Sequence, residues 1–132
     1  MKITTNYLSD FEYQSTAETG ETLKIDMKPE GKTEMAPMQM VLSALSGCIA
    51  VEVALMIQKK RRTLIDLVIE AEGKRRDQEP KSFTDLHLKF ILTSPDATED
   101  ELNKVAKLGL DKYCSVADSL KPEISFECEI RR

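Results

Sequence analysis

Three cysteines carry most of the chemical potential of this sequence: Cys48 within the apolar run APMQMVLSALSGCIAVEVALMIQKK, Cys114 in DKYCSV, and Cys128 in ISFECEI. A thiolate is a nucleophile that oxidants convert to a sulfenic acid, and a second thiol can trap that species as a disulfide. Cys48 and Cys114 lie too far apart in sequence for a C-x-x-C motif, so any partnership between them must be made by the fold. On spacing alone, each is better read as a small apolar core residue, because free cysteines are among the most often buried side chains.

Other chemistries find little support. The single histidine, His87, lies in the alternating run DLHLKF, on the polar side of a strand with Asp85 and Lys89. No closed set of Cys and His at ligand spacing exists for zinc, and no signature makes His87 the base of a nucleophilic triad. The five glycines are scattered, so no phosphate loop is formed. A net charge of −4 argues against a partner held through nucleic-acid phosphates. The small basic clusters Arg61-Arg62 and Arg75-Arg76 read as solvated ends of a helix and a strand.

The elements that must position the thiols follow from periodicity. Residues 1–8, 10–17 and 21–28 alternate as three short strands with turns at Gly20 and at Pro29 to Lys32. Pro37 suits the first turn of a helix that runs to the basic end Lys59 to Arg62. Gln39, Ser43, Ser46, Gly47 and Glu52 interrupt its apolar stretch, so it reads as a core helix rather than a membrane span. Strands follow at 64–74, with Ile65, Leu67, Ile69 and Ala71 on one face, and at 83–93. Thr98 and Glu101 form a capping box for a second helix whose apolar residues Leu102, Val105, Ala106, Leu108 and Leu110 lead to Tyr113 and Cys114. In the last strand Ile124, Phe126, Cys128 and Ile130 share a face, which makes Cys128 a structural thiol. With 132 residues, 41% apolar and 32% charged, the chain suits one α+β domain. The N-terminus reads as a strand rather than a signal peptide, so a cytoplasmic, reducing location is expected.

The wording around two of the cysteines adds more than their spacing. PMQMVLSALSGC at 37–48 and KYCSV at 112–116 resemble the OsmC/Ohr family, and the likeness extends over essentially the whole chain. That resemblance implies an intertwined homodimer in which antiparallel sheets wrap long central helices. It implies Cys48 as the residue that attacks an organic hydroperoxide, Cys114 as the thiol that resolves the sulfenic acid, and an external dithiol as reductant, with no cofactor. Family peroxidases also carry a glutamate after the helix-opening proline and an arginine in the N-terminal strands. Here Met38 follows Pro37 and no arginine precedes Arg61, so the sequence resembles a divergent branch.

Cys48 lies about three turns into its helix, beyond the reach of the dipole's first-turn effect, and Glu52 falls on the same side one turn on. An ionised Glu52 disfavours a thiolate at Cys48, so activation needs a cation, with Lys32, Lys112 or a second subunit as sources. Glu52 reads equally as a catalytic group and as an interface ion-pair partner. Tyr113 reads as a substrate contact or a boundary core aromatic, and Lys32 as a substrate-binding residue. Three functions remain open: a thiol hydroperoxidase, a dimer that binds a small apolar or lipid-like ligand without turnover, and a redox sensor.

The 38–57 stretch lacks a broad polar face, and a chain this short cannot cover such a helix alone. Sedimentation equilibrium at micromolar concentration is expected to show a homodimer; a stable folded monomer would remove the expectation.

Overall fold

In the computed structural model, which describes all 132 residues, the chain falls into two units, Met1–Val41 and Leu42–Arg132. The first is an antiparallel meander of β1 (Ile3–Ser9), β2 (Glu12–Ala17) and β3 (Thr22–Asp26), paired in that order. Tyr7 and Tyr13 face each other across β1 and β2, their rings edge to face with centroids 5.6 Å apart. The fixed point of the loop that follows is Asp26, the fully buried last residue of β3. Its carboxylate accepts the backbone N–H groups of Lys28 and Thr33, each at 2.9 Å, and Lys28 bridges it at 3.5 Å to Glu12 at 3.3 Å.

Helix α1 (Pro37–Lys59) begins as the sequence leads one to expect. The Gln39 side-chain oxygen Oε1 reaches back to accept the Ala36 N–H at 2.9 Å, satisfying a donor left free at the helix start. At the other end Arg61 has φ of 61°, and the N–H groups of Arg61 and Arg62 return to the carbonyls of Gln58 and Ile57. This is a Schellman stop with arginine where glycine is usual. It turns the chain so that Arg62 Nε meets both Glu101 oxygens, at 3.0 and 3.2 Å.

The second unit is built on a sheet ordered β4 (Asp66–Arg75), β5 (Phe83–Thr93), β6 (Ile124–Arg131). β4 and β5 form an antiparallel hairpin, while β6 runs parallel to β5, which demands the crossover supplied by the second helical region. The register stacks Ile69, Phe90 and Cys128 in one rung and Ala71, Leu88 and Phe126 in the next. Against this face packs an α1 stripe of Leu45, Ile49, Val53 and Ile57, all fully buried, with Leu102, Val105 and Ala106 from α2 (Glu99–Leu108). The four α1 residues recur every four positions, so one side of the helix is core. Val51 and Leu55 on another side are 58% and 56% exposed. α1 is long and apolar enough to cross a membrane, but its packed stripe is the behaviour of a core helix.

The Thr98–Glu101 capping box is present in both directions. Two expectations need correction. Ile65 precedes β4 and is 63% exposed; Leu64 packs on the core instead, because the chain straightens into the sheet only at Asp66. The second helix does not run on to Tyr113 and Cys114. After Leu108 it widens into a π-turn (Gly109–Tyr113), and Cys114 then opens a short helix α3 (Ser115–Asp118), so Leu108 is 39% exposed rather than core.

Asp26 generates a pH dependence. Burial pushes its carboxyl up, but the N–H groups of Thr33 and Lys28 and the Lys28 ammonium outweigh that and hold it at about 2, below its ordinary 3.8. The fold therefore favours the charged form, so this contribution is full above about pH 4 and is lost as pH falls toward 2. Asp26→Asn, which cannot accept both N–H groups as a carboxylate does, should lower the urea midpoint at neutral pH. The gap to the parent should narrow between pH 4 and 2, and parallel pH profiles for the two proteins would contradict this assignment.

Candidate functional site

The route by which the fold brings two distant cysteines together begins with a glycine. Gly109 is buried against α1: a Cβ placed on it would stand 2.6 Å from Ile49 Cδ1, 3.4 Å from Met56 Cε and 3.7 Å from Glu52 Cβ. No larger residue allows that approach without displacing the fully buried Ile49. The Gly109 carbonyl then accepts the Cys114 N–H at 2.8 Å, closing the wide i→i+5 turn. A single residue thus touches α1 and fixes the backbone of Cys114.

The result is that Cys48 and Cys114 are neighbours, near enough for Cys48 to act on the Cys114 thiol. Cys114 is 2% exposed, and its sulfur accepts the Ala117 N–H at 3.4 Å as the cap of α3. Burial pushes the Cys114 thiol up. The N–H groups of Ala117 and Val116 oppose that rise, while the hydrogen bond and charge of Cys48 add to it. Cys48 is half-buried, in the middle of α1. No lysine or arginine hydrogen-bonds to either sulfur, and all three cysteines are free thiols. Cys128 packs beside Phe90, and burial, with smaller contributions from the Glu99 and Glu127 carboxylates, pushes it up to about 11.

A groove of about 500 Å³ is lined by Glu52, Leu55, Met56, Lys59, Leu108 and Tyr113, and by neither cysteine. Glu52 follows Cys48 by one turn, and Tyr113 precedes Cys114 by one residue. Glu52 forms no ion pair within the chain, so its carboxylate faces the groove uncompensated. Tyr113 is 53% exposed and lines the groove, so it is not a boundary core aromatic. Lys32 belongs to the other unit, where its ammonium donates to the Gln39 side-chain oxygen Oε1 at 2.9 Å. Lys112 is exposed in the π-turn. His87 sits on the polar face of its sheet, with Nδ1 2.7 Å from Ser125 Oγ and Nε2 3.5 Å from Glu127.

Two residues of this region escape notice in the sequence. Gly109 carries a usable signal, being an isolated glycine inside a helical pattern, which often marks a close approach. Lys59 carries none, since it looks like any cation at a helix C-terminus.

The chain belongs to the OsmC-like protein family, whose profile matches residues 29–129. Among curated proteins it is similar to Protein YhfA of Escherichia coli K12, at 35% identity over 95 residues, covering 72% of this chain and 71% of that one. Among solved structures, the OsmC-like protein from Mycoplasma pneumoniae superposes with a TM-score of 0.85 at 19% identity, covering 99% and 96% of the two chains. The organic hydroperoxide resistance protein OhrB of Bacillus subtilis superposes with a TM-score of 0.64 at 13% identity, covering 99% and 98%. At such identities the structural likeness shows the fold, and the α+β OsmC-like architecture is established on that basis.

Gly109→Ala should drive a methyl group against Ile49, an overpacking cost of about 1–3 kcal/mol. Its specific effect should be on thiol pairing: diamide should close the Cys48–Cys114 bond more slowly while alkylation of Cys48 persists. Unchanged stability together with unchanged closure would show that the glycine does not set the approach.

Proposed function

We propose that this protein is a cysteine-dependent reductant of organic hydroperoxides that works as a cytoplasmic homodimer. The observation that carries the reading is the nearness of Cys48 and Cys114, with Glu52 and Tyr113, one turn and one residue from them, lining an apolar-walled groove. Family membership and the likeness to OhrB support it. The family match crosses both units, which supports treating residues 1–132 as one OsmC-like domain. The exposed Val51 on α1, which lies outside the groove, supports a second copy as the partner that covers it.

The cycle assigns roles by burial. Cys48, the less buried thiol, attacks the terminal oxygen of the hydroperoxide as a thiolate. The O–O bond breaks, the alkoxide takes up the proton Cys48 has lost, and an alcohol leaves with Cys48 oxidised to sulfenic acid. The Cys114 sulfur then attacks the Cys48 sulfur, an S–S bond forms, and the hydroxyl departs as water with the Cys114 proton. An external dithiol supplies two electrons and two protons, restores both thiols and becomes a disulfide itself. The pKa of Cys114, raised mainly by burial, fits the resolving thiol better than the attacking one. Within the groove Glu52 is suited to accept a hydrogen bond from the hydroperoxide O–H, and Tyr113 to contact the organic part. Lys32, a substrate-contact candidate in the sequence, is held by the Gln39 side chain.

A second reading, a binding protein without turnover, is favoured by one observation: no cation hydrogen-bonds to either thiol to stabilise a thiolate. Stopped-flow consumption of cumene hydroperoxide with a lipoyl dithiol as reductant separates the two. Turnover is expected, slower than in a peroxidase with the glutamate and arginine. Cys114→Ser should react once and then over-oxidise, Cys48→Ser should not react, and Cys128→Ala should turn over. No consumption above the dithiol background would leave the binding reading.

A further inference from the structure

We propose that Ser125, His87 and Glu127 form a second, thiol-independent site on the outer face of the β4–β5–β6 sheet, an acyl-transfer site that hydrolyses small uncharged esters. The register builds it. β6 runs parallel to β5 and places Ser125 opposite His87, with Glu72 completing the rung. The period of two along β6 returns Glu127 to the same face, one rung on beside Lys89. Ser125 Oγ stands 2.7 Å from His87 Nδ1, and Glu127 Oε2 stands 3.5 Å from His87 Nε2. The serine has a second acceptor, the Leu86 carbonyl, but at 3.4 Å that contact is long, so its proton lies toward His87. Lys89 holds Glu127 Oε1 at 3.9 Å, which leaves Oε2 for the imidazole. A carboxylate at Nε2 favours the tautomer protonated there, and that tautomer offers Nδ1 as a base.

The three side chains stand as nucleophile, base and orienting carboxylate, a relation defined by geometry and independent of order along the chain. Ser125 and His87 also line a cleft of about 220 Å³ with Glu72, Lys74 and Asp85. Its size is below that of pockets for drug-sized ligands, so the acyl group is short. Glu72 and Asp85 repel an anionic substrate, so the ester is uncharged. Lys74 is the cation of the cleft and makes no ion pair in the chain, which frees its ammonium to stabilise the negative oxygen of a tetrahedral intermediate. In the first step Ser125 Oγ bonds to the carbonyl carbon as its proton passes to His87 Nδ1. The ester C–O bond then breaks, and the departing alcohol takes that proton, leaving Ser125 acylated. Water next attacks the acyl carbon, giving its proton to Nδ1. The acid leaves, the proton returns to Ser125 Oγ, and the cycle has consumed only water and ester.

The test is hydrolysis of p-nitrophenyl acetate, followed by nitrophenol release, in protein carrying both Cys48→Ser and Cys114→Ser so that neither thiol contributes. Repeated turnover is expected, with acetyl trapped on the Ser125 peptide after an acid quench. Ser125→Ala should abolish turnover and the acetyl peptide, and His87→Gln should lower kcat about a hundredfold. Glu127→Gln should lower kcat about tenfold with KM unchanged, as expected of a positioning group that acts through His87 and does not bind the ester. The anionic half-ester p-nitrophenyl succinate should be cleaved more slowly than the acetate. Ser125 and Glu127 are exposed, so their variants should keep the parent's circular dichroism. No hydrolysis above the buffer background, acetyl found on His87 or a lysine instead of Ser125, or a Ser125→Ala protein as active as its parent would overturn the proposal. The thiol cycle is tested separately, because neither of its cysteines is present in this protein.

Discussion

The contact of Gly109 with α1 is the constraint on which the candidate site depends. Helices approach one another to the limit set by the side chains between them, and here that limit is removed at one position, where a bare Cα lies against Ile49, Glu52 and Met56. The same residue bends the second helix into a π-turn and accepts the Cys114 N–H. Without the wide turn the helix would run on past Leu108 and carry Cys114 elsewhere. Without the glycine the turn would stand off from α1. The capping box at Thr98 and the Arg62–Glu101 pair hold the far end of α2, so its C-terminal end is aimed from both directions.

The electrostatics set around this scaffold are mixed. Cys114 is buried, and its two N–H contacts at the start of α3 only partly offset the desolvation that keeps it protonated. Cys48 has a carboxylate one turn away and no hydrogen-bonded cation. Met38 and the lack of any arginine before Arg61 remove the charge network that the family resemblance associates with rapid peroxidase chemistry. The arrangement thus keeps the geometry of a two-thiol cycle while leaving out the usual activators. Under the proposed cycle, speed would depend on a cation brought to Cys48 from outside this chain.

Much of the fold was legible because its periodicities are strong. The alternation through Leu86, Leu88 and Phe90 marked β5 and its buried face, and Pro37 marked the start of α1, whose end at Lys59 is the first residue of the expected basic end Lys59 to Arg62. The facing of Cys128 followed from Ile124, Phe126 and Ile130, and its place beside Phe90 agrees. Ile65 was misplaced because alternation says nothing about where a chain enters the sheet. The π-turn was missed for a related reason: GLDKY has an ordinary helical pattern, and the extra residue in the turn is demanded by packing against α1, not by local preference. The nearness of Cys48 and Cys114 is a tertiary fact of the same kind, and in the sequence it came only through the family resemblance.

The central claim is that these two sulfurs, and not Cys128, form the reacting pair. Treating the native protein with one equivalent of cumene hydroperoxide, blocking free thiols with iodoacetamide and mapping peptides under non-reducing conditions tests it directly. The account predicts a cross-linked peptide joining Cys48 to Cys114, with Cys128 alkylated only after denaturation. Recovery of Cys48 and Cys114 as separate alkylated peptides, or a cross-link through Cys128, would contradict it.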